Sequence, residues 1–177
     1  MDNKTLTALN GVRVGHSTHL DKLTGCTVVL FDKPYQVAYK AYGGAVGAYG
    51  TEANKADKTN YGEDGIFIAG GSNTGLMSAN EIMECLRHDQ KGSRSGKDKQ
   101  IFNPSVTGAI VYDQGMQVAP YDPAYGREAY ENANSEPIAS GNVGAGTGTS
   151  VGKFRWVESG TKTGAMKAGV GSARIDL

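Results

Sequence analysis

The sequence predicts one α+β domain over residues 1–177, and three observations support this prediction. Short runs of β-prone apolar residues alternate with two stretches of helical apolar spacing, which indicates layers of sheet and helix. The 177 residues are enough for one domain with a sizeable core. Proline is scarce, with 5 residues, while apolar residues recur throughout, as in a folded chain.

The strands are predicted from short apolar or alternating runs. Residues 27–31, Thr-Val-Val-Leu-Phe, form a continuous β-prone run of the kind that is buried on both faces of a sheet. We expect this strand to end at Asp32, Lys33 and Pro34, and a returning strand to follow it. The candidate strands are residues 11–14, 25–31, 36–41, 65–69, 106–112 and 171–177, and the polar loops are residues 51–64 and 89–100.

Two helices are predicted. The first follows a glycine-rich turn, and Ser72 is the simplest cap for its start, with Asn73 and Thr74 as alternatives. Asp122 and Pro123 open the second helix as cap and first-turn residue. The apolar positions with helical spacing in the first helix are Leu76, Ala79, Ile82, Met83 and Leu86.

Composition argues against several classes of function. Lys plus Arg equals Asp plus Glu at 18 each, so no basic surplus points to nucleic acid or to an anionic membrane surface. No run approaches the roughly 20 apolar residues of a membrane span, and the N-terminus lacks the apolar core of a signal peptide. We therefore expect a cytoplasmic protein with Cys26 and Cys85 as buried free thiols. Because the chain stops on Leu177 within an alternating run, we also expect that the natural polypeptide continues or that this is one piece of a processed protein. A strand that simply closes the edge of a sheet is the alternative.

The most informative segment is residues 141–153, Gly-Asn-Val-Gly-Ala-Gly-Thr-Gly-Thr-Ser-Val-Gly-Lys, which holds five glycines. Glycine permits positive φ and close approach of other atoms, at an entropic cost. A chain that concentrates glycine in one place needs either free backbone N–H groups at a site or room for a tight crossing. Both alternatives stay open, and Lys153 is the one ionisable group that the segment delivers.

Known glycine-rich phosphate motifs do not fit this segment. A P-loop would need glycine where Thr147 stands and a hydroxyl residue at Phe154, after the lysine. The dinucleotide fingerprint would need glycine at Thr149. The three histidines of the chain are scattered, without acidic or cysteine companions, so we predict no metal and no cofactor.

Two side chains remain as candidates for chemistry. Lys153, among glycines and apolar neighbours, can be partly desolvated and act as a base, or it can stay charged and stabilise developing negative charge. Tyr112, at the end of a predicted strand, can donate one hydrogen bond. The backbone N–H groups around Ser72 could bind an anion or an oxyanion. A structural role is the alternative for each of these residues.

Five sequence blocks, in order along nearly the whole chain, resemble one peptidase family. That family includes the D-aminopeptidase/esterase DmpA, β-aminopeptidases and nylon-oligomer hydrolases. The blocks are residues 10–16 with 24–29, residues 43–47, residues 69–76, residues 141–153 and residues 167–173.

The resemblance implies an amide-bond hydrolase with a layered α-β-β-α sandwich fold. Such enzymes are made as one precursor that cuts itself and frees an N-terminal Ser or Thr nucleophile on a second chain. The present chain would be the N-terminal, α-chain part of an αβ unit, incomplete and inactive without its β chain. The units would form a homo-oligomer that acts on small peptides or oligoamides.

The resemblance also assigns site residues. Lys153 and Tyr112 match the active-site lysine and tyrosine of the nylon-hydrolase-like members and are the expected catalytic residues. The family's nucleophile and acyl-stabilising asparagine are expected beyond residue 177. The expected substrate-binding residues are Gly71, Ser72, Asn142, Gly144 and Gly146.

Two other classes of function remain to be weighed against this hypothesis. The first is a non-catalytic binding or assembly module that retains the fold but lacks the nucleophile. The second is a nucleotide-binding domain, which the failed motif spacings disfavour. The sequence does not distinguish peptides, β-peptides and nylon oligomers as substrates.

Overall fold

A five-stranded mixed sheet lies at the centre of the computed structural model, which describes residues 3–155 and 164–175. The strands, in chain order, are β1 (Val12–His19), β2 (Thr24–Tyr35), β3 (Ala48–Tyr49), β4 (Glu63–Ala69), β5 (Ser93–Ser95), β6 (Ile101–Asn103), β7 (Val106–Ile110), β8 (Ser150–Val151) and β9 (Met166–Lys167). The helices are α1 (Ser78–His88) and α2 (Tyr125–Glu131). Short 3-10 helices lie at Leu6–Ala8, Thr51–Asn54, Ser72–Met77 and Gly144–Gly146.

The order of strands in the central sheet is β1-β2-β4-β7-β3. Neighbouring strands are antiparallel except β4 and β7, which are parallel. Two small ribbons lie outside this sheet, β5 with β6 and β8 with β9. The parallel pair decides where a site can form, because both of its strands end at the same edge of the sheet.

Both helices pack on one face of the sheet. Ile82 of α1 and Ala129 of α2 are fully buried against strand residues such as Val28. Gly15 of β1 lets α2 come close, because a Cβ there would clash with the backbone of Ala129. Removal of this apolar surface from water is the main force that holds the two layers together. The buried apolar cluster includes Cys26, Val28, Leu30, Phe67, Ala69, Ala79, Ile82, Leu86, Val106, Tyr125, Ala129 and Tyr130.

The opposite face of the sheet is partly open. Ile66 of β4 is half-buried, Ile68 is 40% exposed, and Ala109 beside it on β7 is exposed. Residues 37–48 run along this face and leave a groove of about 510 Å³. Among the described residues there is no second sheet of comparable size. The predicted α+β class is confirmed, with one helical layer and one large sheet present.

Strand β2 continues past the predicted stop. It runs through Asp32 to Tyr35, because the pairing with β4 shifts between Leu30 and Tyr35. Such an irregularity accommodates Pro34, which has no N–H to donate to a regular ladder. The predicted end of this strand was therefore wrong.

Two further strand predictions were wrong. Residues 36–41 form no strand, and the free edge of β7 pairs instead with Ala48 and Tyr49 of β3. Residues 171–175 form no strand either, and residues 176–177 lie outside the described residues. The predicted loop at residues 89–100 contains the short strand β5.

The two predicted helices are confirmed, but their starts differ from the prediction. A 3-10 turn with Gly71 as its N-cap precedes α1, and neither the turn nor the helix has a side-chain cap, so the capping role of Ser72 was wrong. Asp122 does accept a hydrogen bond from the Ala124 N–H, at 3.0 Å, just before α2.

Both thiols are buried and free, as predicted. Burial raises the pKa of Cys26 to about 12, so this thiol stays protonated in the core. Within residues 3–155 and 164–175, every helix is too short or too polar to cross a bilayer.

Candidate active site

Three strand ends meet at one edge of the sheet. The parallel strands β4 and β7 both end there, and β2 begins there because it is antiparallel to β4. The Val111 N–H donates to the Ala69 carbonyl at 2.7 Å, and the Gly70 N–H donates to the Gly25 carbonyl at 2.9 Å. The glycine turn after β4, the segment after β7 and the start of β2 are thus held side by side.

A buried carboxylate, Asp113, lies at the junction of these segments and is only 1% exposed. Its Oδ1 accepts the Gly71 N–H at 2.7 Å, and its Oδ2 accepts the Thr24 hydroxyl at 2.6 Å. Sequence reasoning did not single out Asp113. One available signal was an acidic residue placed directly after a predicted strand and next to a candidate tyrosine.

Lys153 follows β8, and its Nζ donates to the Ser150 carbonyl at 2.7 Å. Partial burial lowers the pKa of Lys153, and the negative charge of Asp113 opposes this shift. The glycine-rich segment that leads to Lys153 packs against Asp113, because a Cβ at Gly148 would lie 2.9 Å from the Asp113 Cβ. Tyr112, the chain neighbour of Asp113, is 42% exposed. The catalytic roles predicted for Lys153 and Tyr112 stay predictions.

The turn at Gly71 and Ser72 has strained backbone at Ser72, and both of its N–H groups already have hydrogen-bond partners. Both residues have positive φ, 74° and 54°. The Gly71 N–H donates to Asp113, and the Ser72 N–H donates to the Val111 carbonyl at 3.3 Å. These two N–H groups are therefore engaged within the chain rather than presented to an anion. Substrate contact at this turn stays a prediction.

The glycine-rich segment crosses β1 and β2 at close range. The Gly144 N–H donates to the Thr18 hydroxyl at 2.8 Å, and the Ala145 N–H donates to the Thr27 hydroxyl at 3.0 Å. A Cβ at Gly144 would clash with Thr27 Oγ1 and with His16 Nδ1. Of the two alternatives that the glycines suggested, the geometry at Gly144 fits a tight crossing.

Gly146 and Asn142 differ in solvent exposure. Gly146 is buried, and a Cβ there would clash with the Gly141 carbonyl and the Val170 N–H. Asn142 is exposed. The predicted substrate contacts at Gly144, Gly146 and Asn142 stay predictions, and Asn142 is the member of this set whose side chain is accessible.

The histidines contact neighbouring side chains rather than one another. His16 Nδ1 lies 2.9 Å from Thr27 Oγ1, and His19 Nε2 lies 2.9 Å from Glu128 Oε2. Within the part of the chain that the structure describes, no three His, Cys, Asp or Glu side chains cluster as metal ligands.

The sequence model of peptidase family S58 matches residues 4–175. The chain belongs to this family, and the predicted resemblance is confirmed.

Curated relatives carry two kinds of name. An uncharacterized aminopeptidase of Mycobacterium tuberculosis is 30% identical over 184 residues, covering 98% of this chain and 48% of the relative. A 6-aminohexanoate-oligomer endohydrolase of Paenarthrobacter ureafaciens is 31% identical over 169 residues, covering 93% of this chain and 44% of the relative. The chain spans about half the length of these relatives.

Solved structures show the same fold at lower sequence identity. A β-aminopeptidase of a Burkholderia species superposes with a TM-score of 0.56 and 20% identity, over 83% of this chain and 43% of that one. The L-aminopeptidase D-Ala-esterase/amidase of Ochrobactrum anthropi gives a TM-score of 0.55 and 18% identity, over 82% of this chain and 44% of that one. The latter protein is described as a variant of the Ntn hydrolase fold.

Proposed function

We propose that this chain is the N-terminal part of a self-processing amide-bond hydrolase of the aminopeptidase or oligoamide-hydrolase type. Its nucleophile would be the N-terminal Ser or Thr of a β chain that autocleavage releases. The observation that carries the proposal is the family match over residues 4–175, within a chain that covers about half of its relatives. Residues 1–177 would then be one domain of a larger αβ unit.

The open face of the sheet supports the proposal that a second layer covers it in the complete protein. Ile66, Ile68 and Ala109 form an apolar surface that a globular domain would normally cover. A second sheet packed there would complete the α-β-β-α sandwich that the resemblance implies. We assign this surface to the β chain.

Lys153 and Tyr112 would act on the nucleophile from the edge where β4 and β7 end. A lysine whose pKa is lowered by burial loses its proton more readily and can accept one from a hydroxyl nucleophile. In its charged form, it would instead stabilise the oxyanion of the tetrahedral intermediate. Tyr112 would donate a hydrogen bond to the nucleophile or to the reacting carbonyl.

The remaining parts of the proposal follow from the resemblance. The α-amino group of the β chain can serve as the base, because its unperturbed pKa of about 7.7–8.0 is near neutrality. Small peptides or oligoamides would be the substrates, with Asn142 and the turn at Gly71 and Ser72 in reach of them. Gly144 and Gly146 would shape the backbone beside the scissile amide. The αβ units would assemble into a homo-oligomer in the cytoplasm.

Intact-mass spectrometry of the complete protein tests the processing step. The proposal expects two polypeptides, of which the second begins with Ser or Thr. A single uncleaved polypeptide without amide hydrolysis would favour the alternative, a non-catalytic binding or assembly module with the same fold.

Hydrolysis assays then test the site. Amino-acid p-nitroanilides and 6-aminohexanoate oligomers separate aminopeptidase from oligoamide specificity. We expect Lys153→Ala to lower kcat by about 100-fold, as loss of an oxyanion donor or a proton acceptor does. Tyr112→Phe tests the hydroxyl, and Lys97→Ala, at an exposed position between β5 and β6, is the control. Full processing and turnover in Lys153→Ala would contradict the assignment.

A further inference from the structure

The carboxyl group of Asp113 accepts hydrogen bonds from two segments that are distant in sequence. The backbone carbonyl of Asp113 accepts the Met116 and Gln117 N–H groups at 2.8 and 2.9 Å, which closes the turn that follows. The two carboxylate oxygens accept the Gly71 N–H and the Thr24 hydroxyl. A buried carboxylate is stable only when such donors satisfy it. Asp113 is therefore a fixed point between β2, the turn after β4 and the end of β7.

Glycines make room for this carboxyl group. A Cβ at Gly70 would clash with Asp113 Oδ2, and a Cβ at Gly148 would lie 2.9 Å from the Asp113 Cβ. Gly148 belongs to the glycine-rich segment that leads to Lys153. The segment that delivers the lysine is thus packed directly against the residue that follows Tyr112.

The charge of Asp113 acts on other ionisable groups. The negative charge of Asp113 acts on Lys153 and Tyr121. Burial raises the pKa of Tyr121, and Asp113 adds to that shift. Lys167 on β9 pairs across from Ser150, and its Nζ donates to the Gly146 carbonyl at 2.8 Å. Arg155 follows Lys153 by two residues. Burial lowers the pKa of Lys153, and the negative charge of Asp113 acts in the opposite direction.

We propose that Asp113 is the positioning residue of this site. By accepting the Gly71 N–H and the Thr24 hydroxyl, it holds the residue next to Tyr112 at the strand ends. Its packing against Gly148 anchors the segment that leads to Lys153, whose amine its negative charge attracts. This inference rests on the proposed function for its catalytic readout. Asp113 itself is buried beneath the site and is assigned no contact with substrate.

Asp113→Asn in the complete protein is the direct test. The amide keeps the size of the side chain and one acceptor oxygen but removes the charge. We expect kcat to fall by about 10- to 100-fold while KM changes by less than about 2-fold, because the reacting groups lose their alignment rather than their substrate contacts. The limb of the pH–rate profile that reports Lys153 should move to lower pH, since an opposing negative charge has been lost.

A direct titration of Lys153 makes the test independent of turnover. The pKa of its amine can be followed by NMR of ¹³Cε-labelled lysine, with the signal assigned through Lys153→Arg. Asp113→Asn should lower this pKa. An unchanged Lys153 pKa together with an unchanged pH profile would overturn the proposal, whatever happens to stability. If the unmodified protein hydrolyses no amide, the proposed function fails, while the titration still decides the role of Asp113.

Two further variants separate positioning from a general loss of structure. Thr24→Val removes one hydrogen bond but keeps the charge, so kcat should fall while the Lys153 pKa stays in place. Asp64 is the matched control, because it is a second buried aspartate, 4% exposed, that accepts the Ser105 N–H at 2.8 Å near the opposite end of β4. Asp64→Asn should lower stability and leave both kcat and the pH profile unchanged. If Asp113→Asn does not fold, full kcat in Thr24→Val overturns the proposal.

Discussion

The Lys153 amine donates a hydrogen bond of 2.7 Å to the Ser150 carbonyl, three residues earlier in the chain. This bond turns the lysine back toward the segment that delivers it. Because burial lowers the pKa of Lys153, the charged form is disfavoured in the folded state. Burial of the charged Lys153 therefore costs folding stability.

Lys153→Met is expected to increase the stability of the complete protein at neutral pH. The unfolded-state pKa of lysine is 10.5 and the folded-state value is lower, so the unfolded chain binds more protons in the interval between them. The penalty for the charged lysine is full below the folded pKa and disappears as the pH rises toward 10.5. The difference in unfolding free energy between the variant and the unmodified protein should therefore shrink with increasing pH.

Urea unfolding at several pH values between about 7 and 10 measures this difference. Lys97→Met, at an exposed position, should show no comparable gain. A Lys153→Met protein that is less stable at neutral pH would mean that the bond to Ser150 and the attraction to Asp113 outweigh desolvation.

Gly144→Ala should destabilise the fold. Gly144 has a φ of 52°, and a Cβ there would press against Thr27 Oγ1 and His16 Nδ1. Overpacking of this kind costs about 1–3 kcal/mol, and the strained backbone adds to it. Chemical denaturation of the variant measures the loss. Gly171→Ala is the control, because nothing lies within 4 Å of a Cβ there. Equal stability of the two variants would argue against a tight crossing at Gly144.

Glu63→Gln should also destabilise the fold, through a different mechanism. Glu63 is fully buried at the start of β4, where Asn54, Asn60 and Ser105 all donate to its carboxylate. The amide of glutamine would place its N–H hydrogens against other donors. We expect the free energy of unfolding to fall by about 2–3 kcal/mol.

The midpoint of thermal or denaturant unfolding reports this loss. Glu52→Gln provides the comparison, since Glu52 forms an exposed ion pair with Lys55, which is worth about 0–1 kcal/mol. A Glu63→Gln protein as stable as Glu52→Gln would show that the hydrogen bonds to the Glu63 carboxylate do not contribute to stability.

Ile68→Asp should prevent the β chain from covering the open face. The side chain is 40% exposed in this chain, so its substitution leaves the helical side of the core intact. A charge buried under a second sheet is strongly unfavourable. Size-exclusion chromatography with light scattering, applied to the complete protein, should show loss of the αβ assembly. Ile101→Asp, at an exposed isoleucine of β6, should assemble normally. Normal assembly of Ile68→Asp would place the β chain elsewhere.

Local patterns predicted most of the regular elements. The apolar run at residues 27–31 and the helical spacing around Ile82 reappear as β2 and α1. The boundaries failed where pairing partners decide them. β2 passes Pro34 because its register with β4 shifts. Residues 36–41 form no returning strand, and both edges of β2 are already paired with β1 and β4.

The candidate site was predictable only in part. Tyr112 and Lys153 follow from the family resemblance. Asp113 does not, because a short polar residue after a strand gives no sign of burial. The glycines at 144 and 146 suggested either backbone presented to a ligand or room for a tight crossing. In the fold, they provide space for other segments of the same chain.

The sequence by itself determined the alternation of strands and helices, the absence of net charge, the free thiols and the family. Only the tertiary structure decided that Thr24 and Gly71, 89 and 42 residues away from Asp113, donate to its carboxylate. Local propensity acts over a few residues, whereas these contacts arise from the order and direction of strands across the sheet. The edge where β4 and β7 end is set by that order, and it places Asp113, the residue after Tyr112, against Thr24 and Gly71.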